Sequence, residues 1–298
     1  MTGPLRTVLF APGNDSRKAV KALASSASAV CLDLEDAVAP AEKAAARASV
    51  VATLQEHAGG RQVAVRVNGV QTGLVDDDLD ALASVLDRLD LVVVPMVAGA
   101  DDVRHVSARL DALERETGVE HGRVRLLATA ETAAGVLAAP AVAGADPRLR
   151  TLLFGPADLA HDLGVELTAA GEELRHARSA VVLAARAAGL QAPVDGPHVN
   201  VSDDEGCRIS AGWSRRLGFQ GKLVIHPRQL PLVEEAYAPS ADGVARARLI
   251  VSAYDEALAR GVASIRLEDG SFVDEPVAAR ARAILAEAQP HQPASVVE

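Results

Sequence analysis

The chain has 298 residues, with 30 Lys plus Arg against 40 Asp plus Glu and a formal net charge of −10. That length supports one large core or two small ones. The acidic balance argues against nucleic acid or an anionic membrane surface as partner, while leaving room for a local basic patch on a small anionic ligand.

The opening segment Met1–Arg6 has no apolar signal-peptide region. No stretch reaches the roughly 18 uninterrupted apolar residues of a membrane span. Even the run Leu126 to Ala145 is interrupted by Glu131 and Pro140. A cytoplasmic location is the expectation. The two cysteines, Cys31 and Cys207, make neither a zinc spacing nor a disulfide framework, and read as small buried hydrophobes.

Short apolar, β-branched runs predict strands at Thr7–Phe10, Ala29–Leu32, Gln62–Val67, Leu91–Val94, Val124–Ala128, Thr151–Phe154, Gln191–Val194 and Lys222–Ile225. Between them, Ala-rich amphipathic stretches predict helices over Asp15–Ser26, Ala41–Glu56, Ala100–Thr117, Ala169–Ala188 and Ser202–Leu217. Strands this continuously apolar suit a parallel sheet buried on both faces. Strand–helix alternation points the same way. Eight strands in about 230 residues match a closed (β/α)8 TIM barrel. A doubly wound sheet is the alternative, but the turn Phe10-Ala11-Pro12-Gly13-Asn14-Asp15 lacks Gly-x-Gly-x-x-Gly and leads instead to a helix cap.

Past the eighth strand the pattern changes. Pro227–Tyr237 and Asp242–Arg260 read as helices, Gly261 to Glu275 as a polar segment, and a last helix starts from Pro276. The expected division is a catalytic barrel over 1–240 and C-terminal helices over 241–298, forming a lid or arm against a neighbouring subunit. The tail Gln289–Glu298 is expected to fray.

In such a barrel the residues just after the strands line the catalytic face. These positions hold Asp33-Leu34-Glu35-Asp36, Arg66-Val67-Asn68, Thr129-Ala130-Glu131-Thr132, Gly155-Pro156-Ala157-Asp158 and His226-Pro227. Several carboxylates at one mouth repel unless a cation holds them or protons are shared. Oxygen ligands without a Cys/His cluster suit a hard ion, Mg²⁺ with Mn²⁺ as substitute. Glu131 and Asp158 make the best ligand pair. From spacing alone the alternative stays open, because acids after strands also cap helices. Arg66 can clamp a carboxylate bidentately, or serve as structural partner to Asp33, Glu35 or Asp36. His226, before Pro227 at a strand end, reads as a packing or hydrogen-bonding residue.

Five motifs follow one another in order: Leu32-Asp33-Leu34-Glu35-Asp36-Ala37-Val38, Val65-Arg66-Val67-Asn68, Ala130-Glu131-Thr132-Ala133-Ala134-Gly135, Gly155-Pro156-Ala157-Asp158-Leu159-Ala160, and Gly221-Lys222-Leu223-Val224-Ile225-His226-Pro227-Arg228-Gln229. Together they resemble the citrate lyase β-subunit-like (CitE-like) branch of the HpcH/HpaI aldolase superfamily, across roughly residues 5 to 285. The resemblance implies a barrel that is a homo-oligomer, often a trimer. It implies Mg²⁺ on Glu131 and Asp158, with Arg66 on a carboxylate or oxyanion of the substrate. Backbone amides near Ala157 and Asp158 would hold other oxygens, and Asp36 would orient Arg66 or a metal-bound water. Asp274 would reach a neighbouring subunit's site as an acid/base. The implied reaction is retro-Claisen cleavage of a short 3-hydroxyacyl-CoA of the citramalyl, malyl or citryl type, giving an acyl-CoA and a keto acid. Alternatives are an aldolase on free hydroxy-keto acids, suggested by Gly155-Pro156-Ala157-Asp158, and a subunit working on a carrier-bound citryl thioester. One departure is Val94-Pro95-Met96-Val97-Ala98, where many relatives carry Pro-Lys and a nearby Glu.

Overall fold

Parallel neighbours cannot be joined by a hairpin, so each barrel strand has to be followed by a crossover. The computed structural model describes residues 3–57, 62–168 and 171–288. In it, eight strands close into one parallel barrel in chain order. They are β1 (Thr7–Pro12), β2 (Ala29–Asp33), β3 (Gln62–Arg66), β4 (Leu91–Val94), β5 (Arg125–Ala130), β6 (Leu149–Phe154), β7 (Val194–Asp195) and β8 (Gly221–Val224). The helices of this unit are α1 (Ser16–Leu23), α2 (Lys43–His57), α3 (Val75–Leu82), α4 (Ala100–Thr117), α5 (Ala133–Ala143), α6 (Pro156–Leu163), α7 (Arg175–Ala187), α8 (Asp204–Leu217) and α9 (Gln229–Tyr237). The fold is the (β/α)8 barrel that the alternation implies.

Alternation along each strand divides the apolar residues between two cores. Val8, Cys31, Ala64, Val93, Leu127 and Leu223 belong to the cluster inside the barrel. Leu9, Leu32, Val65, Val92, Leu126 and Val224 belong to the larger cluster, packed outward with residues of the helices. Both cysteines are buried and free.

Three differences from the sequence reading have local causes. The seventh strand is shorter, Val194–Asp195. Ahead of it, Pro193 has no N–H for the ladder, and the Thr151 hydroxyl donates to the carbonyls of Gln191 and Ala192. α5 escapes a periodicity search because it has no charged residue to mark an outer face. α6 has only eight residues, with Pro156 at its first helical position. The expected helix start at Ala169 and the expected fraying of Gln289–Glu298 both lie outside the described residues.

A buried ionic network ties α7 and α8 to the barrel wall. Asp195 accepts from Arg178 Nε at 2.9 Å and Lys222 Nζ at 2.7 Å. Ser214 donates its hydroxyl to the same carboxylate. Despite full burial, which opposes ionisation, Lys222 and Arg178 hold Asp195 below the ordinary carboxylate range. Removing one member strands buried charge. Asp195→Ala is expected to lower the unfolding free energy by about 3–5 kcal/mol, measured by urea titration.

The chain divides into two compact units, Met1–Tyr237 and Ala238–Glu298. The second contains α10 (Ala241–Ala259), β9 (Ile265–Arg266), β10 (Phe272–Val273) and α11 (Glu275–Ala288). The polar segment after α10 is thus a hairpin, with Phe272 paired to Arg266 and Val273 to Ile265. Tyr254, Val273 and Ala278 form its small core. Asp274 caps α11 by accepting the Val277 N–H at 3.3 Å. Among the described residues, no helix is long and apolar enough to cross a membrane.

Candidate active site

Register decides which acids meet which base at the C-terminal rim. Asp33, the last residue of β2, is paired in register with Arg66, the last of β3. Their side chains form a two-pronged bond, Arg66 Nε donating to Asp33 Oδ1 at 2.7 Å and Nη2 to Oδ2 at 2.6 Å. The third nitrogen, Nη1, lies 2.7 Å from Glu35. The Asp33 side chain is 3% exposed and the arginine side chain 15%. The guanidinium also lies over the Phe10 ring, 5.2 Å from its centroid. Burial works against the charge on Arg66, but the bonds and charges of Asp33 and Glu35 outweigh it and hold the group protonated well above its usual range.

Asp33 and Glu35 bond Arg66 directly, whereas the resemblance implied Asp36 as the residue that orients Arg66 or a metal-bound water. The Asp36 side chain is 66% exposed and only reaches 3.7 Å from Arg66. Asp33 is further fixed by accepting the N–H groups of Glu35 and Ala37. Second-layer partners of this kind are worth about 10–100-fold in activity. Asp33→Ala is expected to lower kcat/KM toward the upper end of that range, while Asp36→Ala stays within about threefold. Steady-state kinetics of the two variants would separate them.

Glu131 follows β5 directly and is 3% exposed. Its Oε1 accepts the Met96 N–H at 2.6 Å. Met96 reaches it from a left-handed backbone with φ 52°, unusual for a residue with a side chain. Among the described residues no other hydrogen bond reaches the Glu131 carboxylate. Burial pushes Glu131 up to about 8; the Met96 amide and Arg66 oppose this, and the charges of Asp158 and Glu35 add to it. Burial likewise pushes Glu35 up to about 7, against the pull of Arg66. Gly155 makes room for Glu131, because a Cβ there would overlap its carboxylate.

Asp158 lies in the first turn of α6. The first-turn N–H groups of Ala157 and Asp158 have no intrahelical acceptor. Ala157 and Asp158 join Arg66 and Glu131 around a cavity of about 140 Å³, whose walls include Phe10, Val93, Leu153, Leu223 and Thr129. Four of the six sequence-predicted residues, Arg66, Glu131, Ala157 and Asp158, therefore share one pocket. Asp36 is not among its walls, and Asp274 belongs to the second unit. His226 is exposed and accepts the Arg228 N–H. Phe10 is a pocket wall that sequence reasoning does not reach, because it lies within a strand and not after one, and Asp33, read at the rim without an assigned role, ends β2 as the two-pronged partner of Arg66.

The donor set fits a hard cation. A buried carboxylate without a bonded side-chain cation, beside a second carboxylate, holds its proton until a cation compensates the charge. No group of three or more His, Cys, Asp or Glu with metal-site geometry occurs among the described residues. Two carboxylates completed by water and substrate oxygens is the usual Mg²⁺ arrangement.

The chain is similar to known proteins over nearly its whole length. The chain is 37% identical to the L-malyl-CoA/β-methylmalyl-CoA lyase of Cereibacter sphaeroides over 96% of its own length and 95% of the relative's. It is 35% identical to the citrate lyase subunit beta of Escherichia coli, over 95% and 93%. The crystal structure of the CitE protein of Mycobacterium tuberculosis, in complex with magnesium, acetoacetate and coenzyme A, superposes with a TM-score of 0.79 at 32% identity, covering 97% of this chain and 99% of that one. Residues 6–227 match the HpcH/HpaI aldolase/citrate lyase family, and the chain belongs to that family.

Proposed function

We propose that this chain is a Mg²⁺-dependent carbon–carbon lyase that cleaves a short 3-hydroxyacyl-CoA, of the malyl, citramalyl or citryl type, by a retro-Claisen reaction. The products are acetyl-CoA or a related acyl-CoA and a keto acid. The observation that carries this reading is the convergence of Arg66, Glu131, Asp158 and the α6 N-terminus on one small pocket. The names of the relatives support the substrate class.

Glu131 and Asp158 would hold the cation, Mg²⁺ or Mn²⁺ in its place. When bound, that ion supplies a positive charge against the oxygens of the reacting centre. Arg66 grips the carboxylate of the acid half, held in position by Asp33 and Glu35. The Ala157 and Asp158 amides face the oxygens on the other side, where a helix N-terminus favours negative charge. The hydroxyl would give its proton to the Asp274 carboxylate of a neighbouring copy, the carbon–carbon bond breaks to leave the keto acid, and the bond's electron pair becomes the thioester enolate. Asp274, contributed by a neighbouring copy of the chain in a homo-oligomer such as a trimer, would return a proton to that carbon. We place the enzyme in the cytoplasm.

A keto-acid release assay over malyl-, citramalyl- and citryl-CoA tests the reading. Release from at least one thioester, abolished by EDTA and restored by Mg²⁺, is expected. Inactivity on all three, together with condensation of pyruvate with an aldehyde, would assign a free-acid aldolase instead.

A further inference from the structure

Between β4 and α4 the backbone takes an unusual path behind Glu131. Met96 has φ 52°, the only positive φ among the described non-glycine residues. For a residue with a side chain this conformation is sparsely populated, and it persists where the surroundings enforce it. Here it aims the Met96 N–H at Glu131 Oε1, 2.6 Å away.

Two neighbours seat this loop. Gly135, in the first turn of α5, lies so close to the Val97 carbonyl that a Cβ there would overlap it. The Gly135 N–H donates to the capping Thr132 hydroxyl at 3.0 Å, which fixes the glycine at the head of the helix. On the far side, Asp102 accepts the N–H groups of Ala98 and Gly99. Glu131 and Gly135 stand four residues apart, so one helix start holds both the carboxylate and the residue that seats its amide partner.

Glu131 is left with one free oxygen. Oε2 lies beside Gly155, the residue before the α6 turn that carries Asp158. Ca²⁺ takes about 6–8 oxygens in flexible arrays and often grips a carboxylate through both of its oxygens. Mg²⁺ demands near-octahedral geometry and is held by one or two carboxylates completed by water and substrate. A rigid Glu131 with one oxygen engaged suits the smaller ion.

Resting on the carboxylate pair of the lyase reading above, we propose that Gly135 and the left-handed Met96 are positioning residues that confine Glu131 to a single free oxygen. They thereby set the preference of the site for a small octahedral ion over Ca²⁺. The preference belongs to the backbone of the loop and not to the Met96 side chain.

Calorimetric titration of the full chain with Mg²⁺ and with Ca²⁺, in the absence of any thioester, tests this. The native chain is expected to bind Mg²⁺ more tightly than Ca²⁺. Gly135→Ala, which pushes Val97 and the Met96 amide away, should lower the ratio of Mg²⁺ to Ca²⁺ affinity about 10–100-fold. Met96→Val, whose β-branched side chain does not suit a positive φ, should lower it from the other end of the contact. Met96→Gly keeps the N–H and the left-handed backbone, and should keep the native ratio. Ca²⁺ bound as tightly as Mg²⁺ by the native chain, or neither ion bound, would overturn the proposal whatever the variants do. So would both affinities falling together in folded Gly135→Ala and Met96→Val, with the ratio unmoved, because that is the signature of a merely structural role. A selective site that cleaves no thioester removes the lyase reading and leaves the ion preference standing. Thioester cleavage by a chain that binds both ions equally does the reverse.

Discussion

Glu131→Gln is expected to reduce kcat/KM by about three orders of magnitude and to abolish measurable Mg²⁺ binding. The substitution preserves the size of the side chain and an oxygen that can accept the Met96 N–H, bonded at 2.6 Å in the native protein. It removes only the charge that would face a cation. If Glu131 were instead a packing residue, the neutral amide would be harmless, because the site is buried and an ionised carboxylate there is costly. Loss of metal binding together with retained or raised thermal stability is therefore the signature of a ligand. Gly155→Ala gives an independent approach to the same atom. An added Cβ would collide with the Glu131 carboxylate, so it should weaken Mg²⁺ binding without changing any charge. Calorimetry for Mg²⁺ and the keto-acid assay would read both variants. Near-native Mg²⁺ affinity in Glu131→Gln would remove the carboxylate pair from the proposed mechanism.

The barrel was legible because strands buried on both faces read as unbroken β-branched runs, and β4 (Leu91–Val94) and α4 (Ala100–Thr117) fall where those patterns put them. α5 was not legible, since an uncharged helix offers no periodic contrast. Within the site, position after a strand was enough to find Arg66, Glu131 and Asp158. It could not choose among Asp33, Glu35 and Asp36 as the partner of Arg66. That choice depends on the cross-strand register of Asp33 with Arg66, which only the paired strands fix.

Mg²⁺ affinity is expected to fall by about tenfold for each pH unit below about 8. Burial pushes Glu131 up to about 8, with the charges of Asp158 and Glu35 adding to the effect. In the unfolded chain the same group titrates near 4.3, as an unperturbed glutamate does. Below that value both states are protonated and the folded state carries no penalty. Between the two values the folded chain holds a proton that the unfolded chain has released, so stability falls as pH rises. It is lost as pH climbs through about 8, when the buried group must ionise. Glu35, pushed up to about 7 by burial, acts with the same sign and finishes one step lower. The metal-free protein should therefore lose melting temperature between about pH 5 and 8. Added Mg²⁺ should restore the most at the alkaline end, because only the ionised carboxylate is a ligand. Binding near pH 7 should release close to one proton, seen as a heat that varies with the ionisation enthalpy of the buffer. A metal-free melting temperature that rises through this window, or an affinity indifferent to pH, would mean that Glu131 is already ionised without the cation. The pocket would then need another positive group to hold that charge, and among its described walls Arg66 is the only candidate.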